Sequence, residues 1–155
     1  MNKFLLKNYR TYKKKNIKTY FWFIINYFIF NSFLPFSNIK ILILRAFGAK
    51  IGQNVILKNF IRIKNPENLI IYNNVWIGED VWIDNIAKVI INENTCISQG
   101  VYFCTGNHDR KKVTFDLIAK PIVVGKNCWI GAKCIIGPGA KIKNQSFYGI
   151  GNIIK

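Results

Sequence analysis

A chain of 155 residues, half of them hydrophobic, is long enough for one domain with a buried core and too apolar for global disorder. Its formal net charge of +16 is unevenly spread: residues 1–66 hold thirteen Lys and Arg and no acid, Glu67 being the first. Such a field attracts the phosphates of a lipid surface or a small ligand, although a general excess of Lys, Asn, Ile and Phe accounts for part of it. The chain carries no nucleic-acid recognition motif, which argues against that partner.

Residues 1–48 read as a basic, aromatic helical arm. Lys3, Lys7, Arg10, Lys13, Lys14, Lys15 and Lys18 precede the apolar run Tyr20–Leu34, which ends at Pro35. No small-x-small cleavage site follows, which argues against a secretory signal. The run falls short of the ~20 residues that a spanning helix needs. Dense aromatics beside lysines suit a helix lying at a lipid interface, so a peripheral membrane contact through residues 1–34 is expected; packing on the rest of the chain or on a neighbouring subunit is the other reading. The expected location is the cytoplasm, at the inner face of the membrane. Residues 38–47 read as a short helix stopped by Gly48.

From Ile51 onward an aliphatic side chain returns every six positions. Ile51, Leu57 and Ile63 come first, then Ile71, Ile77, Ile83 and Val89, then Ile91, Ile97 and Phe103, and finally Val124, Ile130, Ile136, Ile142, Tyr148 and Ile154. Four residues after most anchors stands a small or β-branched residue such as Val75, Val101, Cys128 or Ala140. Asn54, Asn74, Asn94 and Asn127 mark turns where a left-handed backbone is needed. A period of six fits neither a helix at 3.6 nor a long strand at 2. It fits a coil of three short faces, so residues 49–155 are expected to form about five coils of a parallel β-helix. The eight-residue steps from Ile63 to Ile71 and from Ile83 to Ile91 read as corner insertions. Trp76 and Trp82 are placed at turns, facing outward. The four cysteines make no CxxC pair, and the reading is small buried filler in a reducing compartment.

The rhythm breaks at Cys104-Thr105-Gly106-Asn107-His108-Asp109 and resumes at Pro121-Ile122. His108 is the single histidine, and a loop at 109–120 follows it. Arg110, Lys111 and Lys112 in that loop either hold a phosphate or form a solvated charge run.

The hexads Ile77-Gly78-Glu79-Asp80-Val81-Trp82 and Trp129-Ile130-Gly131-Ala132 resemble those of the left-handed β-helix hexapeptide-repeat acyltransferases. Ile97-Ser98-Gln99-Gly100, the His108 segment, Thr114-Phe115-Asp116-Leu117-Ile118 and Lys120-Pro121-Ile122 resemble the colanic-acid-biosynthesis type of sugar O-acetyltransferase. The resemblance covers residues 40–152. It implies a mainly β, left-handed parallel β-helix, a homotrimer with active sites between subunits, acetyl-CoA as donor and a sugar or glycolipid hydroxyl as acceptor. It also implies that Trp129 and Ala132 line the pantetheine tunnel, with Trp129 as plain packing an open alternative. The family usually runs on with a Thr-Lys segment that contacts the coenzyme; Lys155 stands near where that pair would lie, which by the resemblance makes it a candidate cofactor-binding residue.

Acetyl transfer to an alcohol needs a base for the hydroxyl proton and donors for the thioester oxyanion. His108 is the natural base near neutral pH. Asp84, Asn85 and Asp109 are candidates to orient it or to bind the acceptor. The backbone N–H groups of Gly131 and Ala132 are candidate oxyanion donors. A zinc site of the three-histidine kind needs histidines this sequence lacks, so no metal is expected. The competing reading is a catalytically impaired hexapeptide scaffold held at a membrane by the arm.

Overall fold

The computed structural model describes residues 17–155; the lysines and arginine of residues 3–15 lie outside them. Helix α1 (Ile17–Ile25) runs into a π-helical turn (Asn26–Phe30), and α2 (Ser37–Ala46) follows. Gly48, at φ +102°, ends α2, as only a residue without Cβ readily does.

Fifteen short strands then wind into a parallel β-solenoid of three five-stranded sheets. Five coils result, each giving one strand to each face. The first coil is β1 (Lys50–Ile51), β2 (Ile56–Leu57) and β3 (Arg62–Ile63); the second is β4 (Leu69–Ile71), β5 (Trp76–Ile77) and β6 (Trp82–Asp84). The third is β7 (Val89–Ile91), β8 (Cys96–Ile97) and β9 (Tyr102–Cys104). After a two-stranded excursion, β10 (Gly106–His108) and β11 (Leu117–Ala119), come β12 (Ile122–Val124), β13 (Trp129–Ile130) and β14 (Ile135–Ile136). The fifth coil is β15 (Lys141–Ile142), β16 (Phe147–Tyr148) and β17 (Ile153–Ile154).

The hexad anchors stack in register. Ile51, Ile71, Ile91, Val124 and Ile142 form one inward column, and Ile63, Ile83, Phe103, Ile136 and Ile154 form another. Each fully buried aliphatic contributes about 1.5–3 kcal/mol, so the columns supply the main drive for coiling. The small residues close the corners: Val75, Val101, Cys134 and Ala140 are all buried. Asn54, Asn74, Asn94 and Asn127 stand in a line at one corner with φ between 53° and 57°. Their side-chain amides join into a ladder, each Nδ2 donating to the next Oδ1 at 3.0–3.1 Å. Trp76 and Trp82 are in strands, not at turns, and face outward; Trp82 stacks on Tyr102 at 4.5 Å.

Both eight-residue steps are insertions at one corner, after the third face. A 3-10 turn, Pro66–Asn68, fills the first. The long interruption falls at the same corner one coil later. It is not a simple loop after a coil face: residues 106–119 form an antiparallel hairpin arm, with Gly106 paired to Ala119, Asn107 to Ile118 and His108 to Leu117.

The arm of residues 17–46 packs on the first coil. Trp22, Phe30, Ile41 and Leu44 belong to the same apolar core as the solenoid columns. Trp22 Nε1–H donates to the Ile63 carbonyl at 2.9 Å, and Asn26 Oδ1 accepts from the Ile63 N–H at 3.3 Å. These bonds occupy backbone groups of β3 that no earlier coil pairs, which covers a sheet edge. No helix among the described residues is long and apolar enough to cross a membrane.

Candidate active site

Thr105 roots the hairpin arm. Its side chain is buried, and Oγ1 donates to the Asp84 carbonyl at 2.9 Å while accepting from the Ala87 N–H at 3.1 Å. Its carbonyl accepts from the Lys120 N–H at 2.9 Å, which closes the base of the arm. Polar residues this deeply buried hold position because losing either bond leaves an unpaired group.

On the arm, His108 Nδ1 lies 3.0 Å from the Phe115 carbonyl oxygen. A carbonyl only accepts, so Nδ1 carries a proton, and in the neutral ring the lone pair belongs to Nε2. The imidazole stacks flat on the Phe115 ring, 4.6 Å between centroids and 3° between planes. Phe115 has φ +49°, a left-handed turn residue whose conformation sets its carbonyl and ring at once. The orienting partner is thus a backbone atom, which no side-chain pattern in the sequence announces.

The three polar candidates fall in different places. Asn85 is fully buried, with Oδ1 accepting from the Asn65 N–H at 2.9 Å and Nδ2 donating to the Asn65 carbonyl at 2.7 Å. Both ends of its amide are therefore committed to clamping two corners together. Asp84 pairs with Lys64 at 2.7 Å. Asp109 Oδ1 accepts from the Lys111 N–H at 3.0 Å and shapes the tip of the arm.

A cleft of about 510 Å³ lies between the arm and the third face of the solenoid, lined by Tyr102, Cys104, Asn107, Lys120, Pro138 and Lys155 among others. Lys155 and Lys120 bring two cations to it. Sequence reasoning missed Lys120, Tyr102 and Asn107; a strand alternation over 106–108 would have placed Asn107 on the opposite side from His108. Burial, then Cys104 and the Asp84 carboxylate, push the Tyr102 phenol up well beyond its ordinary value, so it remains a neutral donor. Burial likewise raises the Cys96 thiol. His108 is not among the residues lining this cleft.

Trp129 stands on the second face, more than half exposed, with Nε1–H donating to Ser98 Oγ at 3.0 Å. Gly131 follows it at the corner. A Cβ there would sit 2.7 Å from the Tyr148 carbonyl oxygen, so only glycine lets the two coils meet. The Gly131 N–H donates to that carbonyl at 2.8 Å. It is spent on coil stacking, which corrects its assignment as an oxyanion donor and leaves the Ala132 amide as the candidate. Within one chain, then, Lys155 reaches the cleft beside the arm, His108 stands on the arm itself, and Trp129 lies on a different face of the solenoid. Among the described residues no group of His, Cys, Asp and Glu is arranged to hold a metal.

No protein-family profile matches the chain. Over 107 residues, 69% of this chain, it is 36% identical to the acetyltransferase WcaF of Escherichia coli strain K12, a protein named for colanic acid biosynthesis. Over 115 residues, 72% of this chain, it is 26% identical to the galactoside O-acetyltransferase of the same strain. The chain spans less than three fifths of the length of each, 59% and 57%. Its backbone matches a hexapeptide-repeat acetyltransferase from Vibrio cholerae with a TM-score of 0.78 at 19% identity, over 88% of this chain and 78% of that one. The chain has the hexapeptide-repeat acetyltransferase fold. The same Vibrio protein in complex with acetyl coenzyme A matches at a TM-score of 0.70 and 19% identity, covering 76% of this chain and 66% of that one.

Proposed function

We propose that the chain is an O-acetyltransferase that moves an acetyl group from acetyl-CoA to a sugar hydroxyl during surface polysaccharide synthesis. The observation that carries this reading is the Phe115 carbonyl on His108 Nδ1, which sets the neutral tautomer with its lone pair on Nε2. That nitrogen takes the proton as the acceptor oxygen attacks the thioester carbonyl. The carbon–sulfur bond then breaks, and the proton passes to the departing thiolate. The products are the acetyl ester and free coenzyme A. The Ala132 amide is the candidate donor to the transient oxyanion. Similarity to WcaF and to a galactoside O-acetyltransferase supports a saccharide acceptor.

Lys120 and Lys155 would hold coenzyme phosphates, and Trp129 would flank the pantetheine arm. The placement of Trp129 on the second face, away from the cleft between the hairpin arm and the third face, supports a site completed by a neighbouring copy, in a homotrimer. The decisive test is thiol release from acetyl-CoA in the presence of a panel of sugars. Wild type should turn over with at least one acceptor, and His108→Ala should lose about 10²–10⁴-fold. Undiminished turnover in the variant would remove His108 as the base. Silence from both proteins would favour the scaffold reading.

A further inference from the structure

Helix α1 and the turn that follows it are apolar on two sides, and the fold uses one. Trp22 is 2% exposed, Phe30 is fully buried, and Ile25 and Ile29 pack against the core. On the other side Ile17, Phe21, Ile24 and Phe28 recur at intervals of four, three and four residues. That is the spacing of a single helical face. All four are between 57% and 76% exposed. Tyr20 and Tyr27 are exposed as well, each next to a member of this row, and carry hydroxyls suited to a headgroup layer.

An apolar row of this kind has a cost in water that a solvated helix avoids by placing polar residues there. Charge identifies what covers it. The first acid of the chain is Glu67, and seven of the thirteen preceding cations fall within residues 3–18, at or before the first turn of α1. A second copy of so basic a segment would repel it, whereas an anionic lipid surface attracts it. No helix among the described residues is long and apolar enough to cross a bilayer, and an exposed apolar row on one face suits a helix lying in the plane of the surface.

We propose that the Ile17–Phe21–Ile24–Phe28 face seats the protein on an anionic bilayer, with the aromatic rings among the headgroups and the solenoid held against the surface by the opposite, Trp22 side of the same helix. This goes beyond the acetyl-transfer reading and stands or falls separately from it. The test is flotation of the full chain with phosphatidylcholine vesicles, with and without phosphatidylglycerol. Flotation is expected with the mixed vesicles, weaker at high salt, and at least tenfold lower with phosphatidylcholine alone. The double variant Phe21→Ser/Phe28→Ser should lose at least tenfold in binding while keeping its thermal midpoint, since both rings are exposed in the fold. Phe21→Trp, which keeps the apolar character, should gain indole quenching by brominated lipid over wild type. No flotation of wild type, equal flotation on both vesicle types, or no added quenching would overturn the proposal. Dissociation of an oligomer by the double variant, with no vesicle binding by wild type, would assign the face to a second copy instead.

Discussion

The same corner of the solenoid is built differently in consecutive coils. After the second coil it is closed by Asn85, a buried amide whose two ends are both bonded to Asn65. After the third it opens into the hairpin arm, whose exposed and half-buried residues include Asn107, His108 and Asp109. The first corner has its polar groups satisfied internally; the second presents them. The difference shows how a repeat acquires a site: the coils fix register on either side, so an insertion at one corner is carried without disturbing the columns. Thr105 marks the boundary, being itself buried and bonded back to the earlier corner.

The comparison can be broken from the arm side first. His108→Ala should cost turnover about 10²–10⁴-fold yet leave the thermal midpoint near that of wild type, because the ring lies off the core columns. Next, His108→Ala and Trp129→Ala chains, refolded together, should recover activity that neither variant shows alone if a site joins two copies. No recovery in an assembled mixture would place the whole site in one chain. On the corner side, Asn85→Ala leaves the Asn65 N–H unpaired and its carbonyl with the Asn68 N–H alone, and should lower stability by about 1–3 kcal/mol in urea titrations, whereas Asn107→Ala should stay within about 0.5 kcal/mol. A smaller effect tests the Phe115 turn. Phe115→Gly keeps the carbonyl and suits the positive φ but removes the stacked ring, worth about 0.5–1.5 kcal/mol, so kcat should fall several-fold.

The smallest effect concerns Lys40, buried beneath α2 with Nζ donating to the Lys58 carbonyl at 3.0 Å. Burial lowers its pKa below the ordinary 10.5. Between the folded and unfolded values the unfolded chain binds more protons, so this group makes stability rise with pH across that window, and its cost is largest below it. Lys40→Met should lack that rise, which urea midpoints at neutral and alkaline pH compare directly; an identical slope in both proteins would discount the burial.

Much of the solenoid was legible in the sequence because its determinants are side-chain identities at fixed intervals. The six-residue anchors, the small corner residues and the four turn asparagines each report a local constraint, and each stands where the period put it. The site was legible only in part. His108 is conspicuous by composition, but its partner is a carbonyl, which every residue possesses. Asn85 looked like a ligand because an amide's commitments depend on Asn65, twenty positions away, and no sequence pattern states that pairing. Gly131 failed as a donor for a similar reason: stacking on Tyr148 consumes its N–H. The hairpin was read as a loop because Asn107, His108 and Asp109 lack the apolar alternation of a half-buried strand.

The asparagine ladder has a further consequence. Its amides all donate toward the same end of the solenoid, so their dipoles add head to tail and strengthen one another. Sliding one coil by one residue would break the rung on either side of it and would also turn its inward anchors toward solvent, so the ladder and the apolar columns specify the same register. The ladder therefore adds, at an exposed corner, a polar mark of the same coil-to-coil alignment that the columns enforce inside.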